Sequence, residues 1–411
     1  MLSKSKLQKA FRASPLIPFY IVHGIMMSAV VSSSLFVTAF IYKANNSLLD
    51  IASYYICFHS GALLCSIAMG NASRNCSVLT YLRASMLVNA LFFLTLYQLQ
   101  DYLPSIIMPV GLLAGVGAGL YWLPFNVFVA QCGRDGCNQG TRFVEFFSTV
   151  TILGSVVTIA VPALVGLSIW CGGAYSTFFL CMLCMFSVAC VVSAYLPNDL
   201  RISKPNYDVS SMLATLRNDE ALWRMSKSFF WSGFSYIGGA LTTLVPLVVF
   251  RTSSSELLLG MVASCLPLIE MCSSYYARGV KRECYAGILI GSALALLVLT
   301  CITLLSLTVL NSIVYAVIYS ACVPMLSILF NFYSFKAIET RDALKNNLIE
   351  YLVVREMFLA LGRISAFCLL FFVASLFTAE NSTALQTLLV LLVATMLPMA
   401  LLLGRVNLKP Q

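Results

Sequence analysis

Charge is scarce in this sequence. Of 411 residues only 10% are Asp, Glu, Lys or Arg, while 60% are hydrophobic; an ordinary soluble domain is roughly 25% charged. A water-soluble fold this poor in charge has too little polar surface to cover itself, and a disordered chain needs low hydrophobicity. Histidine is nearly missing, with two residues, and neither belongs to a ligand-spaced cluster, so no metal is expected. No Gly-x-x-x-x-Gly-Lys-Ser/Thr loop occurs, which argues against ATP hydrolysis within the chain. Paired acids, a nucleophile triad and metal motifs at a common depth are likewise missing, so the expectation is a non-enzyme without cofactors. No basic stretch interleaves with aromatics as a nucleic-acid surface would.

What the chain has instead is apolar length. About 20 apolar residues make one membrane crossing as a helix, and the runs fall at 15–42, 48–70, 77–97, 105–131, 143–169, 174–196, 223–250, 257–277, 284–308, 311–337, 347–378 and 383–404. These are twelve predicted helical spans (one to twelve below), with no period-2 barrel pattern. Lys4, Lys6, Lys9 and Arg12 precede the first run, which is far longer than the apolar core of a cleaved signal peptide and is followed by no small-x-small site. The 15 cysteines lie mostly inside apolar runs, where they act as small hydrophobes. Cys181-x-x-Cys184 has redox or metal spacing but no His nearby. Cys132 and Cys137 sit in a polar loop and are expected as free thiols in a reducing compartment.

Charge asymmetry predicts orientation. Apart from Lys43 and Arg251, and from Arg355 and Arg363 within the eleventh run, every Lys and Arg falls on one side. The positive-inside rule places that side, with both termini, in the cytoplasm, and the net charge of +9 needs no nucleic-acid partner. The longest polar stretch, 197–222, bisects the chain and contains a short helical piece near 209–216. The expected organisation is an N-terminal six-helix bundle over 1–196, a linker over 197–222 and a C-terminal six-helix bundle over 223–411. A trace of duplication supports it. Phe125-Asn126 precedes Glu145 by the same spacing by which Phe330-Asn331 precedes Glu350, half a chain away.

Twelve spans, a mid-chain loop and about 400 residues resemble the major facilitator superfamily. The loop between spans two and three, Gly70-Asn71-Ala72-Ser73-Arg74-Asn75-Cys76, keeps the Gly and a basic residue of that family's Gly-x-x-x-Asp-Arg-x-Gly-Arg/Lys pattern but lacks the Asp and the second Gly. Arg278-Gly279-Val280-Lys281-Arg282 keeps only the basic character. Val161-Pro162-Ala163-Leu164-Val165-Gly166 keeps the Pro and last Gly of an exporter motif. Glu350-Tyr351, Arg355-Glu356 and Gly362-Arg363 resemble a pattern in bacterial branches of the superfamily. The resemblance implies an all-α, twelve-span membrane protein of the bacterial inner (plasma) membrane, working as a monomer. It also implies two bundles rocking about a central site, with spans one, four, seven and ten lining the cavity and spans two, five, eight and eleven forming the interface.

Charged groups inside the bilayer are costly and invite functional readings. Glu270 lies roughly 12 Å deep, counted from Arg278 at the helical rise, and Arg363 is inferred at a similar depth. As a pair they are read as a proton-coupling acid with its counter-ion, or as a static ion pair between spans eight and eleven. His23 and His59 are further proton-carrier candidates, or simply hydrogen-bond neighbouring helices. Arg74, Glu145, Glu350, Arg355 and Glu356 are read as a cytoplasmic gate, or as solvated helix ends. Trp122, Asn126, Trp231, Tyr236, Tyr315, Tyr319 and Asn331 supply the mix of aromatic and amide groups that suits an organic ligand, or else packing and interfacial aromatics. The expected function is secondary transport of a small uncharged or amphipathic molecule, with proton-coupled export first. Proton-coupled uptake and a non-transporting sensor or assembly factor of the same fold are the alternatives.

Overall fold

A computed structural model describes residues 16–72, 77–134, 140–172, 174–196, 207–278, 280–376 and 382–406. In a bilayer every backbone polar group must be satisfied inside the protein, which leaves helices or closed barrels. Here the described residues form helices and connecting turns, with no strand.

Eleven stretches are long and apolar enough to cross a membrane, and one of them, Leu79–Phe128, runs for 50 residues. It is two helices, Val78–Leu99 and Leu103–Arg134, joined by a 3-10 turn at Gln100–Tyr102. The crossings therefore number twelve among the described residues, and each overlaps a run predicted from the sequence. The short helix foreseen after the mid-chain loop is Val209–Asn218. Residues 197–206 of the expected linker lie outside the described residues, as do 135–139 beside Cys132.

Span four is kinked at Ile106 and span twelve is interrupted at Thr395, between Ser382–Ala394 and Met396–Gly404; two further crossings carry breaks that reach the centre of the protein. Span one runs as an α-helix over Leu16–Ser32, a π-turn over Ser33–Val37 and an α-helix over Thr38–Asn45. Span seven breaks between Glu220–Ser235 and Ala240–Ser253. The break is built on Gly238-Gly239, with Gly238 at φ 62°, in the left-handed region that costs an L-residue roughly 1–2 kcal/mol. Asp219 caps the start of span seven by accepting from the Ala221 and Leu222 amides, and its other oxygen takes the Arg341 guanidinium at the end of span ten, 2.9 Å away.

Spans two and eleven pack against each other, as do spans five and eight, the interface the family resemblance implies. The two seams differ. Between spans two and eleven, Tyr55 and Phe367 stack with centroids 4.7 Å apart, and the His59 ring lies 5.6 Å from the same Phe367. Between spans five and eight the backbones touch: a Cβ on Gly260 would stand 3.2 Å from the Gly166 Cα and closer still to the Pro162 carbonyl. At the cation-poor end, Lys43 of span one pairs with Glu256 of span eight at 2.7 Å, and the Tyr175 hydroxyl of span six donates to the same carboxylate oxygen at 3.3 Å. The other ion pairs among the described residues lie within the second half of the chain.

Candidate functional site

A cavity of about 530 Å³ lies between the two halves, within the size range of pockets for organic ligands. The spans expected to line it do so: Ser33 and Ser34 from the π-turn of span one, Trp122 and Asn126 from span four, Thr242 and Thr243 from span seven, Asn331 from span ten. Spans two and eleven, expected only at the interface, also line it, with His59 from one and Arg355, Glu356 and Arg363 from the other. Irregular backbone in a membrane is tolerated where it faces a cavity, and the break in span seven contributes Ile237 and Gly238 to the wall.

The charges form one cluster. Arg355 Nη2 donates to Glu356 Oε1 at 3.1 Å, and Arg363 Nη1 lies 3.6 Å from Glu356 Oε2. The Ile237 carbonyl, freed by the helix break, accepts from Arg363 Nε at 2.7 Å. Arg355 is 8% exposed, and its Nε has no hydrogen-bond partner among the described residues. His59 is buried, faces the backbone of Gly238 and stands within electrostatic reach of Arg363; its Nε2 also has no partner among the described residues.

This placement corrects the pairing expected from depth. Arg363 meets Glu356, not Glu270. Counting residues from a loop gives depth but not azimuth. Seven residues are two turns of one helix, so positions 356 and 363 share a face. Glu270 is exposed and outside the cavity lining, with Ser320 beside its carboxylate. Arg355 and Glu356, read as gate residues at a helix end, sit in the cavity wall instead. Glu350 is buried, with Oε2 unpartnered among the described residues, and Tyr207 is in its field, which together with burial pushes that tyrosine up to about 12. Arg74 and the side chain of Glu145 lie outside the described residues.

His23 is hydrogen-bonded within the first bundle. Its Nδ1 is 2.5 Å from the Tyr121 hydroxyl, its ring stacks on Phe125 at 4.9 Å, and it does not line the cavity. Among the proposed ligand contacts, Trp122, Asn126 and Asn331 line the cavity. Trp231 packs beside Phe230 and Phe234. Tyr236, Tyr315 and Tyr319 are buried and outside the lining, and Tyr319 is within electrostatic reach of Tyr315, Tyr236 and Glu270.

Comparison with solved structures decides the architecture. The nucleoside transporter NupG superposes with a TM-score of 0.69 over 94% of this chain and 96% of that one, at 13% identity. The chain has the major facilitator fold. Within that fold, the D-xylose-proton symporter gives a TM-score of 0.61 at 13% identity over 92% of this chain and 96% of that one. A bacterial homologue of the iron transporter ferroportin, in its inward-facing state, gives 0.65 at 12% identity over 95% and 98%. By sequence the chain is 25% identical over 361 residues, 86% of its length, to the uncharacterized protein YqgE of Bacillus subtilis (strain 168), covering 82% of that protein. A protein in the sodM 3' region of Geobacillus stearothermophilus matches over 175 residues at 23% identity. No family model matches the sequence. The chain is a multi-pass membrane protein whose structural neighbours are transporters.

Proposed function

We propose that this protein is a proton-coupled secondary transporter of a small amphipathic organic molecule, working by alternating access around the central cavity. The observation that carries the reading is the Arg355–Glu356–Arg363 cluster in the cavity wall. A carboxylate held between two guanidiniums and open to a ligand space can exchange a proton when its partners are engaged elsewhere. Glu356, in place of Glu270, is therefore the proton carrier. The aromatic and amide wall around it provides a mainly apolar site with a few placed polar groups. The Lys43–Glu256–Tyr175 contact ties the halves together at the cation-poor end and serves as the latch of one state. The basic end and both termini face the cytoplasm of the plasma membrane, which reporter fusions at the C-terminus test directly.

The function is tested by comparing the metabolites of cells with and without the protein, then following those that differ into vesicles holding the purified chain under an imposed pH gradient. Gradient-driven flux that disappears in Glu356→Gln is expected. Flux indifferent to the gradient, or unchanged in that variant, rules out the coupling; no flux of any such metabolite rules out transport.

A further inference from the structure

The charges of the cavity do not balance. Two guanidiniums face one carboxylate, which leaves one positive charge in a mainly apolar space, where an uncompensated charge is expensive. The other titratable groups in the wall are His59, Tyr54 and Tyr55 from span two; spans one, three, four, seven and ten present hydroxyls, amides, backbone and apolar groups. No further carboxylate lines the cavity among the described residues. Glu350 is five residues before Arg355, about 140° round the helix, and makes no ion pair among the described residues; next to it along the helix, Tyr351 faces Ser334. His23 is held by Tyr121 outside the cavity.

The unspent capacity is on Arg355. Arginine carries five N–H donors in a planar fork suited to a carboxylate. Arg355 uses Nη2 on Glu356, while its buried Nε has no partner among the described residues. Arg363 spends Nε on the Ile237 carbonyl and meets Glu356 only at 3.6 Å. Around them Phe58, Phe92, Trp122 and Phe330 supply an apolar wall, and Asn126 and Asn331 two amides.

Resting on the transport reading above, we infer that the substrate is an organic monocarboxylate with an apolar or aromatic body, whose carboxylate is taken by Arg355 and Arg363 in competition with Glu356. The competition fixes the sense of coupling. When the substrate anion engages the guanidiniums, Glu356 loses its counter-ions and takes a proton from the open side onto its carboxylate, forming only that O–H bond. Anion and proton then occupy the cavity together and neutralise it. Linkage is reciprocal, so protonation of Glu356 strengthens anion binding by the factor by which the anion favours protonation. Proton and substrate travel in the same direction. This is symport, the proton-coupled uptake kept as an alternative from the sequence, in place of the export expected first.

The experiment measures ligand-induced shifts of the thermal unfolding midpoint for the purified full chain, with benzoate and phenylacetate as probes, each against its uncharged amide, at pH 8 and pH 6. Both acids remain ionised across that range. Saturable stabilisation by the acids and not the amides is expected, with apparent affinity tightening at pH 6. Arg355→Gln weakens acid binding roughly tenfold or more, the worth of one charge-assisted hydrogen bond. Glu356→Gln binds the acids more tightly and without the pH dependence, and serves as the folded control in which no internal carboxylate competes. Amides that match their acids, undiminished acid binding in Arg355→Gln, or no shift by either acid in the folded wild type overturns the inference. A chain that carries metabolites across vesicles but binds only uncharged probes keeps the transport reading and loses this one. A chain that binds benzoate through Arg355 yet moves nothing does the reverse.

Discussion

The two bundles bury different kinds of polarity. The first holds His23 against Tyr121 at 2.5 Å, inside a stack with Phe19 and Phe125. This pair is hydrogen-bonded and stands outside the lining of the central cavity. The second holds Arg355, Glu356 and Arg363 in the cavity wall with donors to spare. A satisfied polar pair fixes a core, whereas a partly satisfied charged cluster invites a third partner. The contrast teaches where to look for chemistry in a nearly uncharged molecule. Burial and residue type do not separate the two sites, since His23 and Arg355 are both buried. Unspent hydrogen-bonding capacity beside open space does.

The strongest way to break this contrast is Glu356→Gln, which removes the exchangeable proton and leaves two guanidiniums facing an amide. Proton-driven flux in vesicles is expected to fall to that of protein-free vesicles, while the variant still folds. Gly238→Ala comes next. Its φ of 62° adds roughly 1–2 kcal/mol for a side chain, and the new Cβ would stand 3.3 Å from Arg363 Nε. A lowered unfolding midpoint together with weaker substrate binding is expected, since the break positions the carbonyl that Arg363 uses. Lys43→Ala removes a pair whose lysine is 59% exposed, so only a few-fold shift toward opening at that end is expected, read by cysteine accessibility near residue 256. On the satisfied side, Tyr121→Phe costs about 1 kcal/mol for one lost hydrogen bond, visible as a small drop in midpoint with coupling intact. Glu270→Gln is the smallest: flux within twofold of wild type is expected. A loss as large as that of Glu356→Gln would restore Glu270 as the proton carrier.

Much of the fold was legible because the bilayer allows so few solutions. Runs of about 20 apolar residues report crossings almost directly, and the 3-10 turn at Gln100–Tyr102 falls in the gap left between the third and fourth runs. The site was harder to read. Depth along a helix can be counted, but the face a residue shows depends on crossing angles that leave no local trace. Glu270 was placed by depth alone. The seven-residue spacing of Glu356 and Arg363 was a usable signal, since it puts both on one face. Gly238-Gly239 was another, because two glycines inside an apolar run mark a break. The π-turn at Ser33–Val37 had no comparable mark. Spans two and eleven entered the cavity wall because two helices can pack together at one height and part at another, which hydropathy does not record.

The seam between spans five and eight has a mechanical consequence. Where Gly166 and Gly260 meet, the surfaces are bare main chain, without side-chain knobs that must unlock and reseat. The opposite seam is keyed by the ring of Phe367 lying on Tyr55 and His59. In the proposed alternating-access cycle, a body joined by one smooth edge and one toothed edge would turn with little friction along the first and click between settings at the second. The bare edge would act as the bearing, and the aromatic edge, one turn beyond Arg363 on the same helix face, as the escapement that times each stroke.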